Sequence, residues 1–502
     1  MSDPDDALPP AGESGDPETP PEPPRPPEMP QGAALDFYLF EKAKALQQGG
    51  FFDQAEACYR KLLERDPKSV KAFNNLGTLF EAQKKTVEAE WAYRRALAID
   101  PNSALVHYNL GHAMHVDGRL DQAEASYRRT IALDRKSFSA YFNLGRLLET
   151  LNRFEDAEPC YRRAIEIVPE STAAHSCLGE TLYRLGRFPE ALAAFEGAVA
   201  SDPTAAGEHF NVGKTLDGLG RLEEAAAAFR RAAELDPHSA IAHENQVRAL
   251  ERLGRRDDAV QALAEWQFRA PGHPIALHLL AALSGLEVPE RASDACIRQI
   301  FDPFAAGYDA ALERLSYRGP VLVGMALAKD GREARAEQRI LDAGCGTGLC
   351  AAMLRPWARH LAGVDLSARM LERARARGAY DELVEGELVG YLGEHPAAFD
   401  IIAAADTLVY FGALEPVFAA ASRAMRPQGR LIFTVEHLMD GDDAPWRLTS
   451  TGRYSHSEPY LRHALDDAGL PARLVMRAVL RQEGGQPVSG LIVLAERRGE
   501  PS

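Results

Sequence analysis

A short glycine-rich segment in the C-terminal half of the chain has the residue types of a ligand-binding loop. An apolar stretch that ends at Leu341 predicts a β-strand, and the sequence continues Asp342-Ala-Gly-Cys-Gly-Thr-Gly348. Glycine lets the backbone approach a ligand closely and adopt conformations that other residues avoid. The helix predicted from Leu349 adds free amide donors at its N-terminus. These features predict a small-molecule site at the end of a strand.

A second acidic residue stands at the end of the next apolar stretch. Leu361-Ala-Gly-Val364 predicts another strand, and Asp365 follows it. A carboxylate in this position can accept hydrogen bonds from both ribose hydroxyls of an adenosine. Two details argue against a dinucleotide: the glycines are spaced G-x-G-x-G instead of G-x-G-x-x-G, and Asp342 would repel a pyrophosphate. Asp342 instead suits the ammonium and sulfonium groups of S-adenosylmethionine, which is the predicted cofactor.

These motifs resemble those of the class I S-adenosylmethionine-dependent methyltransferases, over residues 295–497. Residues 342–348 resemble motif I of that family, and Val364-Asp-Leu-Ser367 resembles its acidic loop. Residues 380–388 look like the third strand and the adenine-side loop, with Glu387 where many members carry aspartate. The resemblance implies an α/β Rossmann-like domain with a seven-stranded sheet. It also implies that the cofactor is bound by Asp342, Gly344, Cys345, Gly346, Gly348, Asp365, Leu366, Glu387, Leu388 and Asp406.

The N-terminal half of the chain repeats with a period of 34 residues. Prolines recur at one position of the repeat, namely Pro67, Pro101, Pro169, Pro203, Pro237 and Pro271. Alanines recur at another, namely Ala55, Ala89, Ala123, Ala157, Ala191, Ala225 and Ala259. Small residues let two antiparallel helices approach, and a large residue four positions after each alanine fills the gap. The pattern resembles the tetratricopeptide (TPR) repeats and predicts an all-α solenoid of about seven units over residues 35–273.

The composition of the remaining segments predicts the domain boundaries. Residues 1–34 are rich in Pro, Glu and Asp, so we expect a disordered arm that cannot bury enough apolar surface to fold. Residues 274–294 are expected to form a capping helix and a linker. The methyltransferase domain is expected over residues 295–497, and residues 498–502 should form a short tail.

Asparagine recurs on the repeat grid, at Asn75, Asn109, Asn143, Asn211 and Asn245. In TPR proteins this position lines the concave groove, so the resemblance implies an asparagine ladder that binds a protein or peptide partner. A side-chain amide offers a donor and an acceptor to the backbone of an extended peptide. Alternatively, the asparagines hydrogen-bond within the scaffold, and the sequence leaves both interpretations open.

Histidines also recur on the grid, at His107, His175, His209 and His243. Neighbouring helices lie roughly 8–10 Å apart, whereas zinc needs imidazole nitrogens at about 2.0–2.1 Å. One histidine per repeat is therefore predicted to pack, and no metal site is predicted.

Two segments before the glycine loop resemble the helical lid of a bacterial subgroup in which TPR repeats precede a methyltransferase. They are residues 301–308 and 315–320. The resemblance implies that Tyr308 closes over the cofactor and that Arg318 contacts its carboxylate. Either side chain could instead anchor the lid by packing.

Methyl transfer is an in-line displacement at a sulfonium, so catalysis is mainly alignment, with a base where the acceptor carries a proton. The segment 453–458, which follows the fifth predicted strand, contains two acceptor-side candidates, His456 and Tyr454. Tyr410, after the fourth strand, is the third. Each of them could equally make a structural hydrogen bond.

The predicted function is methyl transfer from S-adenosylmethionine to a protein or small-molecule acceptor, with a partner recruited by the repeats. DNA methylation is disfavoured because the motifs of adenine-N6 and cytosine-C5 methyltransferases are absent from the sequence. One alternative is a non-catalytic TPR adaptor whose methyltransferase-like domain holds the cofactor without turnover. The glycine spacing disfavours a second alternative, an NAD(P)-dependent oxidoreductase.

Composition supports a multidomain protein and argues against nucleic acid as its main partner. The chain has 502 residues, which is too long for one hydrophobic core. Its net charge of -16 argues against binding a phosphate backbone. No apolar run approaches the length of a membrane span, and the N-terminus lacks the features of a secretory signal. Six cysteines without zinc-site spacing fit a reducing compartment, so a cytoplasmic location is expected.

Overall fold

The computed structural model describes residues 31–439, 441 and 443–499. Most of the arm predicted for residues 1–34 lies outside the described residues, as do residues 500–502 of the predicted tail. The described residues divide into two compact units, one that ends at residue 220 and one that begins at residue 221. In the described ranges, no helix is both long and apolar enough to cross a membrane.

The described part of the first unit is entirely helical, and consecutive helices pack against each other in pairs. The helices are α1 (Gln31–Gln48), α2 (Phe52–Arg65), α3 (Val70–Ala82), α4 (Thr86–Ile99), α5 (Ala104–Val116), α6 (Leu120–Leu133), α7 (Phe138–Thr150), α8 (Phe154–Ile167), α9 (Thr172–Arg184), α10 (Phe188–Ser201) and α11 (Ala206–Gly218). Helix α1 begins four residues before the expected start of the array at residue 35. The reason is compositional, because the Pro-rich sequence ends at Pro30 and the helix-forming residues Ala33 and Ala34 follow.

Contact between a glycine and an aromatic ring explains the repeat pattern. A Cβ atom on Gly145 of α7 would lie 2.7 Å from Cε1 of Tyr161 in α8. The same distance separates such an atom on Gly179 of α9 from Cε1 of Phe195 in α10. Only glycine lets the first helix of the repeat approach the ring on the second so closely, which accounts for the spacing seen in the sequence.

Three of the grid histidines pack against the turn that precedes their helix. Nε2 of His107 donates to the carbonyl oxygen of Pro101 at 2.9 Å. His175 makes the same contact with Pro169 at 2.9 Å, and His209 makes it with Pro203 at 3.1 Å. Each of these rings therefore ties its helix to the preceding turn.

The second unit completes the helical repeats and then changes to an α/β fold. The repeats end with α12 (Leu222–Leu235), α13 (Ala240–Arg252), α14 (Arg256–Arg269) and the predicted capping helix α15 (Pro274–Ser284). Three helices precede the sheet: α16 (Asp294–Phe304), α17 (Tyr308–Arg314) and α18 (Gly319–Lys329). The others are α19 (Ala351–Leu354), α20 (Ala368–Arg377), α21 (Leu388–Glu394), α22 (Glu415–Ala424) and α23 (Glu458–Asp467).

The sheet confirms the predicted α/β class. Its strands are β1 (Gln338–Ala343), β2 (Ala358–Asp365), β3 (Glu382–Glu385), β4 (Phe399–Ala404), β5 (Met425–His437), β6 (Trp446–Leu448), β7 (Tyr454–His456), β8 (Ala472–Glu483) and β9 (Gln486–Glu496). Five strands run parallel in the order β3-β2-β1-β4-β5. Strand β9 pairs antiparallel with β5, and β8 pairs antiparallel with β9, so β8 runs in the direction of β5. These are the seven predicted strands. The short strands β6 and β7, which the sequence did not predict, form a hairpin beside the end of β5.

Strand β1 lies at the centre of the parallel sheet. Leu341 pairs with Ala362 of β2 on one side and with Ile402 of β4 on the other, and all three side chains are buried. Strands β2 and β3 lie on one side of β1, and β4 and β5 lie on the other side. The order of the strands therefore reverses at β1, and its carboxyl end is the switch point of the topology. Ligands of open α/β sheets bind at this place.

Candidate functional site

A cleft of about 740 Å³ opens at the carboxyl edge of the parallel strands. Most of the predicted site residues line it, namely Tyr308, Gly344, Gly346, Asp365, Leu366, Glu387, Leu388, Asp406 and Tyr410. A smaller cavity of about 330 Å³ is lined by Asp342 and Cys345. Tyr308, Gly344 and Gly346 line both spaces, so the glycine loop stands between two adjoining cavities.

The glycine loop has the backbone conformation that only glycine adopts readily. Gly344, Gly346 and Gly348 have φ angles of 70°, 55° and 87°. The amide of Gly344 donates to the carbonyl of Val364 at 2.8 Å, which fixes the loop against the end of β2. At Gly346, an added Cβ atom would meet no atom within 4 Å. The loop therefore presents open backbone to the cavities.

Asp365, at the end of β2, supports the same loop. Its Oδ2 accepts a hydrogen bond from the amide of Gly346 at 2.8 Å, and its Oδ1 accepts one from Ser367 at 2.9 Å. Burial raises the pKa of this carboxyl, and the two backbone amides oppose the shift. Each oxygen retains acceptor capacity beyond these bonds, so the carboxylate can also receive hydroxyl groups.

Asp342, at the end of β1, is a buried carboxyl that lacks a cationic partner among the described residues. Only 1% of its surface is exposed, and its Oδ2 accepts a hydrogen bond from the hydroxyl of Tyr380 at 2.6 Å. Burial raises its pKa to about 7, the Tyr380 hydrogen bond lowers it, and the charge of Asp365 raises it further. A cation bound in the smaller cavity would therefore stabilise the ionised form.

Glu387 has one carboxylate oxygen engaged and one available. Oε2 caps helix α21 by accepting the amide of Gly390 at 2.7 Å. Oε1 is buried and has no hydrogen-bond donor among the residues that the structure describes. Because Glu387 lines the cleft, this oxygen is an acceptor available to a ligand.

Asp406 and Tyr410 form the side of the cleft that follows β4. Asp406 has a left-handed backbone with φ 57°, and its amide donates to Oγ1 of Thr434 at 2.8 Å. Its Oδ1 lies 3.3 Å from Nη1 of Arg481, a buried arginine that also pairs with Glu436. Left-handed backbone is uncommon for a non-glycine residue, so these contacts hold Asp406 in a strained conformation.

Two of the three predicted catalytic residues do not line either cavity. His456 is fully buried, and its Nε2 donates to the carbonyl oxygen of Gly412 at 3.1 Å. Burial lowers its pKa to about 4, so the ring is neutral at pH 7. The hydroxyl of Tyr454 donates to the carbonyl of Pro289 at 2.7 Å. The unpredicted β6–β7 hairpin gives both side chains structural partners, and only Tyr410 reaches the cleft.

Two predicted cofactor residues also lie outside the cavity walls. The side chain of Arg318 is exposed, and its backbone amide donates to the carbonyl of Leu480 at 2.8 Å. Gly348 contributes to the loop indirectly, because a Cβ atom there would lie 2.9 Å from the ring of Tyr380. Arg318 therefore ties this segment to β8 through its backbone amide, and not through its exposed side chain.

The cleft has a wall that the sequence did not reveal. Arg291 and Ala292, from the segment expected to be a linker, line it together with Ile297 and Phe301 of α16. The amide of Ala292 donates to the carbonyl of Tyr410 at 2.8 Å. The four-residue spacing of Ile297 and Phe301 on one helix face was a detectable signal. No signal in the sequence distinguished Arg291 from an ordinary linker residue.

The grid asparagines lie on the first helix of their repeats and are half-buried. Nδ2 of Asn109 donates to Oδ1 of Asn74 at 2.8 Å, and Nδ2 of Asn143 donates to the hydroxyl of Tyr108 at 2.8 Å. These bonds join neighbouring repeats, which is the scaffold role considered above. They leave the Oδ1 atoms of both asparagines without a donor in the described part of the chain, so a peptide amide could still bind there.

Comparison with known families agrees with both halves of the fold. The family described as "Methyltransferase domain" matches residues 341–433. Families described as "Tetratricopeptide repeat" match residues 40–104, 142–206 and 212–274, and residues 102–170. The matches cover the glycine loop, the parallel strands and almost the whole helical array.

Among curated relatives, malonyl-[acyl-carrier protein] O-methyltransferase of Serratia marcescens is 30% identical over 138 residues, 28% of this chain and 51% of that protein. Ubiquinone biosynthesis O-methyltransferase of Thiobacillus denitrificans is 32% identical over 110 residues, 21% of this chain and 47% of that protein. The chain spans about half the length of these relatives. A solved structure of YrrB, "a TPR protein with an unusual peptide-binding site", is 23% identical with a TM-score of 0.34, covering 37% of this chain and 95% of that one. The chain thus combines segments that match tetratricopeptide repeats with a segment that matches a methyltransferase domain.

Proposed function

We propose that the C-terminal domain binds S-adenosylmethionine and transfers its methyl group to a protein or small-molecule acceptor, while the repeats recruit a protein or peptide partner. The observation that carries the proposal is the placement of Asp342, Asp365 and Glu387 around the adjoining cavities. Each carboxylate suits a different part of the cofactor: the cationic methionine part, the ribose hydroxyls and the adenine amine. A nicotinamide dinucleotide would instead bring an anionic pyrophosphate to the glycine loop beside Asp342.

The residues of the site fit the cofactor. Bound S-adenosylmethionine would supply an electrophilic methyl group on its sulfonium. The open backbone at Gly346 permits the close approach that a bound nucleoside needs. The available oxygen of Glu387 can accept from an amine, and Leu366 and Leu388 offer apolar contact for an aromatic base.

Tyr410 is the chain's best-placed acceptor-side group. It lines the cleft, and burial raises the pKa of its hydroxyl, so the phenol keeps its proton near pH 7. A neutral phenol donates a hydrogen bond to an acceptor oxygen, which aligns it but does not remove a proton. The relatives are named as O-methyltransferases, which also favours an oxygen acceptor. A carboxylate acceptor needs no base and suits this environment.

A non-catalytic TPR adaptor is the second candidate. It is favoured by the positions of His456 and Tyr454, which the structure keeps out of both cavities. The adaptor would bind S-adenosylmethionine without producing S-adenosylhomocysteine in the presence of any acceptor. Turnover with a carboxylate or hydroxyl acceptor would exclude it.

Calorimetric titration of the full chain tests the cofactor directly. We expect saturable binding of S-adenosylmethionine with about one site per chain and no binding of NAD, because Asp342 suits a cation and repels a pyrophosphate. Binding of NAD alone would reverse the assignment. Absence of binding by either compound would remove the basis for the proposed reaction.

Replacing Asn109, Asn143 and Asn211 together with alanine should release a partner that co-purifies with the chain. The reason is the loss of the amide groups that pair with an extended backbone. Co-purification followed by mass spectrometry measures the release, and the affinity for S-adenosylmethionine should not change. Asn102→Ala, in the turn before α5, is the matched control. A partner that remains bound to the triple variant would eliminate the groove hypothesis.

We also propose a cytoplasmic location. All six cysteines of the chain are free thiols, and four of them are buried. Free thiols fit a reducing compartment.

A further inference from the structure

We infer that Arg291, in the segment between the repeats and the methyltransferase domain, positions Glu387 and thereby helps the site to select adenine. The inference rests on the proposed cofactor. It assigns a positioning and specificity role to a residue outside the sequence motifs of the site. Arg291 lies before helix α16, on the segment that joins the last repeat to the α/β domain.

The segment that carries Arg291 is held firmly against the site. Arg291 forms an antiparallel bridge with Phe411. On either side of it, the amide of Gly412 donates to the carbonyl of Glu290 at 2.7 Å, and the amide of Ala292 donates to Tyr410 at 2.8 Å. These bonds pair residues 290–292 with residues 410–412, which follow the exit of β4. The backbone position of Arg291 is therefore fixed relative to the cleft.

The capping helix α15 also holds the same segment. Nε2 of His278, on α15, donates to the carbonyl of Gly452 at 2.8 Å. Ala281 and Ala282 of α15 pack in one buried cluster with Leu448 and Tyr454 of the β6–β7 hairpin. The Tyr454 hydroxyl in turn binds the carbonyl of Pro289, two residues before Arg291. The position of Arg291 thus depends on the end of the repeat array.

The guanidinium of Arg291 lies beside the free oxygen of Glu387 without forming a hydrogen bond to it. Nη1 lies 3.6 Å from Oε1 of Glu387, which is close enough for an ion pair but too far for a hydrogen bond. The same nitrogen lies 2.8 Å from Oδ1 of Asp294, and the group lies 6.0 Å from the ring centroid of Phe411. These contacts restrain the arginine. Its charge orients the Glu387 carboxylate, while Oε1 has no hydrogen-bond donor among the described residues.

A carboxylate acceptor beside a guanidinium donor matches the edge of adenine. Adenine presents an amine donor at position 6 next to the acceptor nitrogen N1. Hypoxanthine presents the reverse pattern, a carbonyl at position 6 next to an N1–H donor. The Arg291–Glu387 pair should therefore favour an adenosyl ligand over an inosyl ligand, because the latter would place a carbonyl oxygen against a carboxylate.

The experiment measures the affinity of the full chain for S-adenosylhomocysteine and for S-inosylhomocysteine by calorimetry. Wild-type protein should prefer the adenosyl compound. Arg291→Ala should weaken adenosyl binding about tenfold and reduce the preference, because Glu387 loses its orienting charge. Arg291→Lys, which keeps the charge, should recover most of the preference. Arg335→Ala, which removes an exposed arginine that pairs with Glu333, is the control for net charge and should behave as wild type.

Equal preference in wild type and Arg291→Ala would overturn the inference. So would an equal loss of affinity for both compounds together with a lower melting temperature, since that pattern indicates a purely structural role. If the wild-type chain binds neither compound, the proposed function is wrong, and the inference that rests on it fails with it. A reduced preference at an unchanged melting temperature, with recovery in Arg291→Lys, supports the inference.

Discussion

Asp365→Ala in the full chain should raise the dissociation constant for S-adenosylmethionine by about 100-fold or more. The variant removes the carboxylate that would accept both ribose hydroxyls, and each hydrogen bond to a charged group contributes about 1.5–3 kcal/mol. It also removes the acceptor for the amide of Gly346, which at 2.8 Å helps to hold the glycine loop in its left-handed conformation. Both effects act in the same direction. Calorimetric titration measures the change.

Asp400→Asn provides a matched control for Asp365→Ala. Asp400 lies near the amino end of β4, at the edge of the sheet away from the cleft, and its Oδ2 accepts the amide of Arg339 at 2.8 Å. Like Asp365, Asp400 accepts a hydrogen bond from a backbone amide of the same sheet, but it lines neither cavity. Its variant should bind the cofactor as wild type does. Unchanged affinity in Asp365→Ala would show that this carboxylate does not bind the ribose.

The parts of the site that follow strands could be predicted because local sequence determines them. Asp342 and Asp365 directly follow buried apolar runs, and parallel strands bring their carboxyl ends to one edge of the sheet. The glycines were predictable for a related reason, because their left-handed backbone excludes other residues. The spacing of Gly145 and Tyr161 likewise follows from one contact between paired helices.

The parts of the site that depend on long-range packing could not be predicted. Tyr454 and His456 stand in a segment that resembles an acceptor-side loop, but pairing with β6 and β5 turns both into buried scaffold residues. Arg291 shows the opposite case. Its neighbours in sequence are typical of a linker, and only the bridge to Phe411, 120 positions later, brings it to the cleft. Neither contact leaves a periodic or local signal.

The affinity for S-adenosylmethionine should depend strongly on pH because of Asp342. Burial raises its pKa to about 7, so the carboxyl of the free protein is largely protonated below that pH. A bound ammonium or sulfonium favours the carboxylate, so binding releases a proton and affinity rises with pH. The dissociation constant should rise about tenfold for each unit below pH 7 and level off above it. Titrations between pH 5.5 and 8.5, in about seven steps, measure the profile.

Two variants separate Asp342 from other titrating groups. Asp342→Asn should bind weakly at every pH, with a flat profile, because it cannot ionise. Tyr380→Phe should move the midpoint to higher pH, since the Tyr380 hydrogen bond lowers the pKa of Asp342. A wild-type profile without a midpoint near 7, or an unchanged midpoint in Tyr380→Phe, would show that Asp342 does not meet the cationic part of the cofactor.

The stability of the unliganded protein provides an independent check on Asp342. Its folded pKa of about 7 lies above the ordinary value of 3.8, so the folded state binds the proton more tightly than the unfolded state. The stability that this group contributes is complete below pH 3.8 and is lost as the pH rises to about 7. Asp342→Asn avoids that loss, so its melting temperature at pH 8 should exceed that of wild type. Asp342→Asn should thus be more stable than wild type but bind the cofactor more weakly. This combination is expected when a buried carboxylate serves a cationic ligand, because the free energy of its desolvation is offset only in the complex.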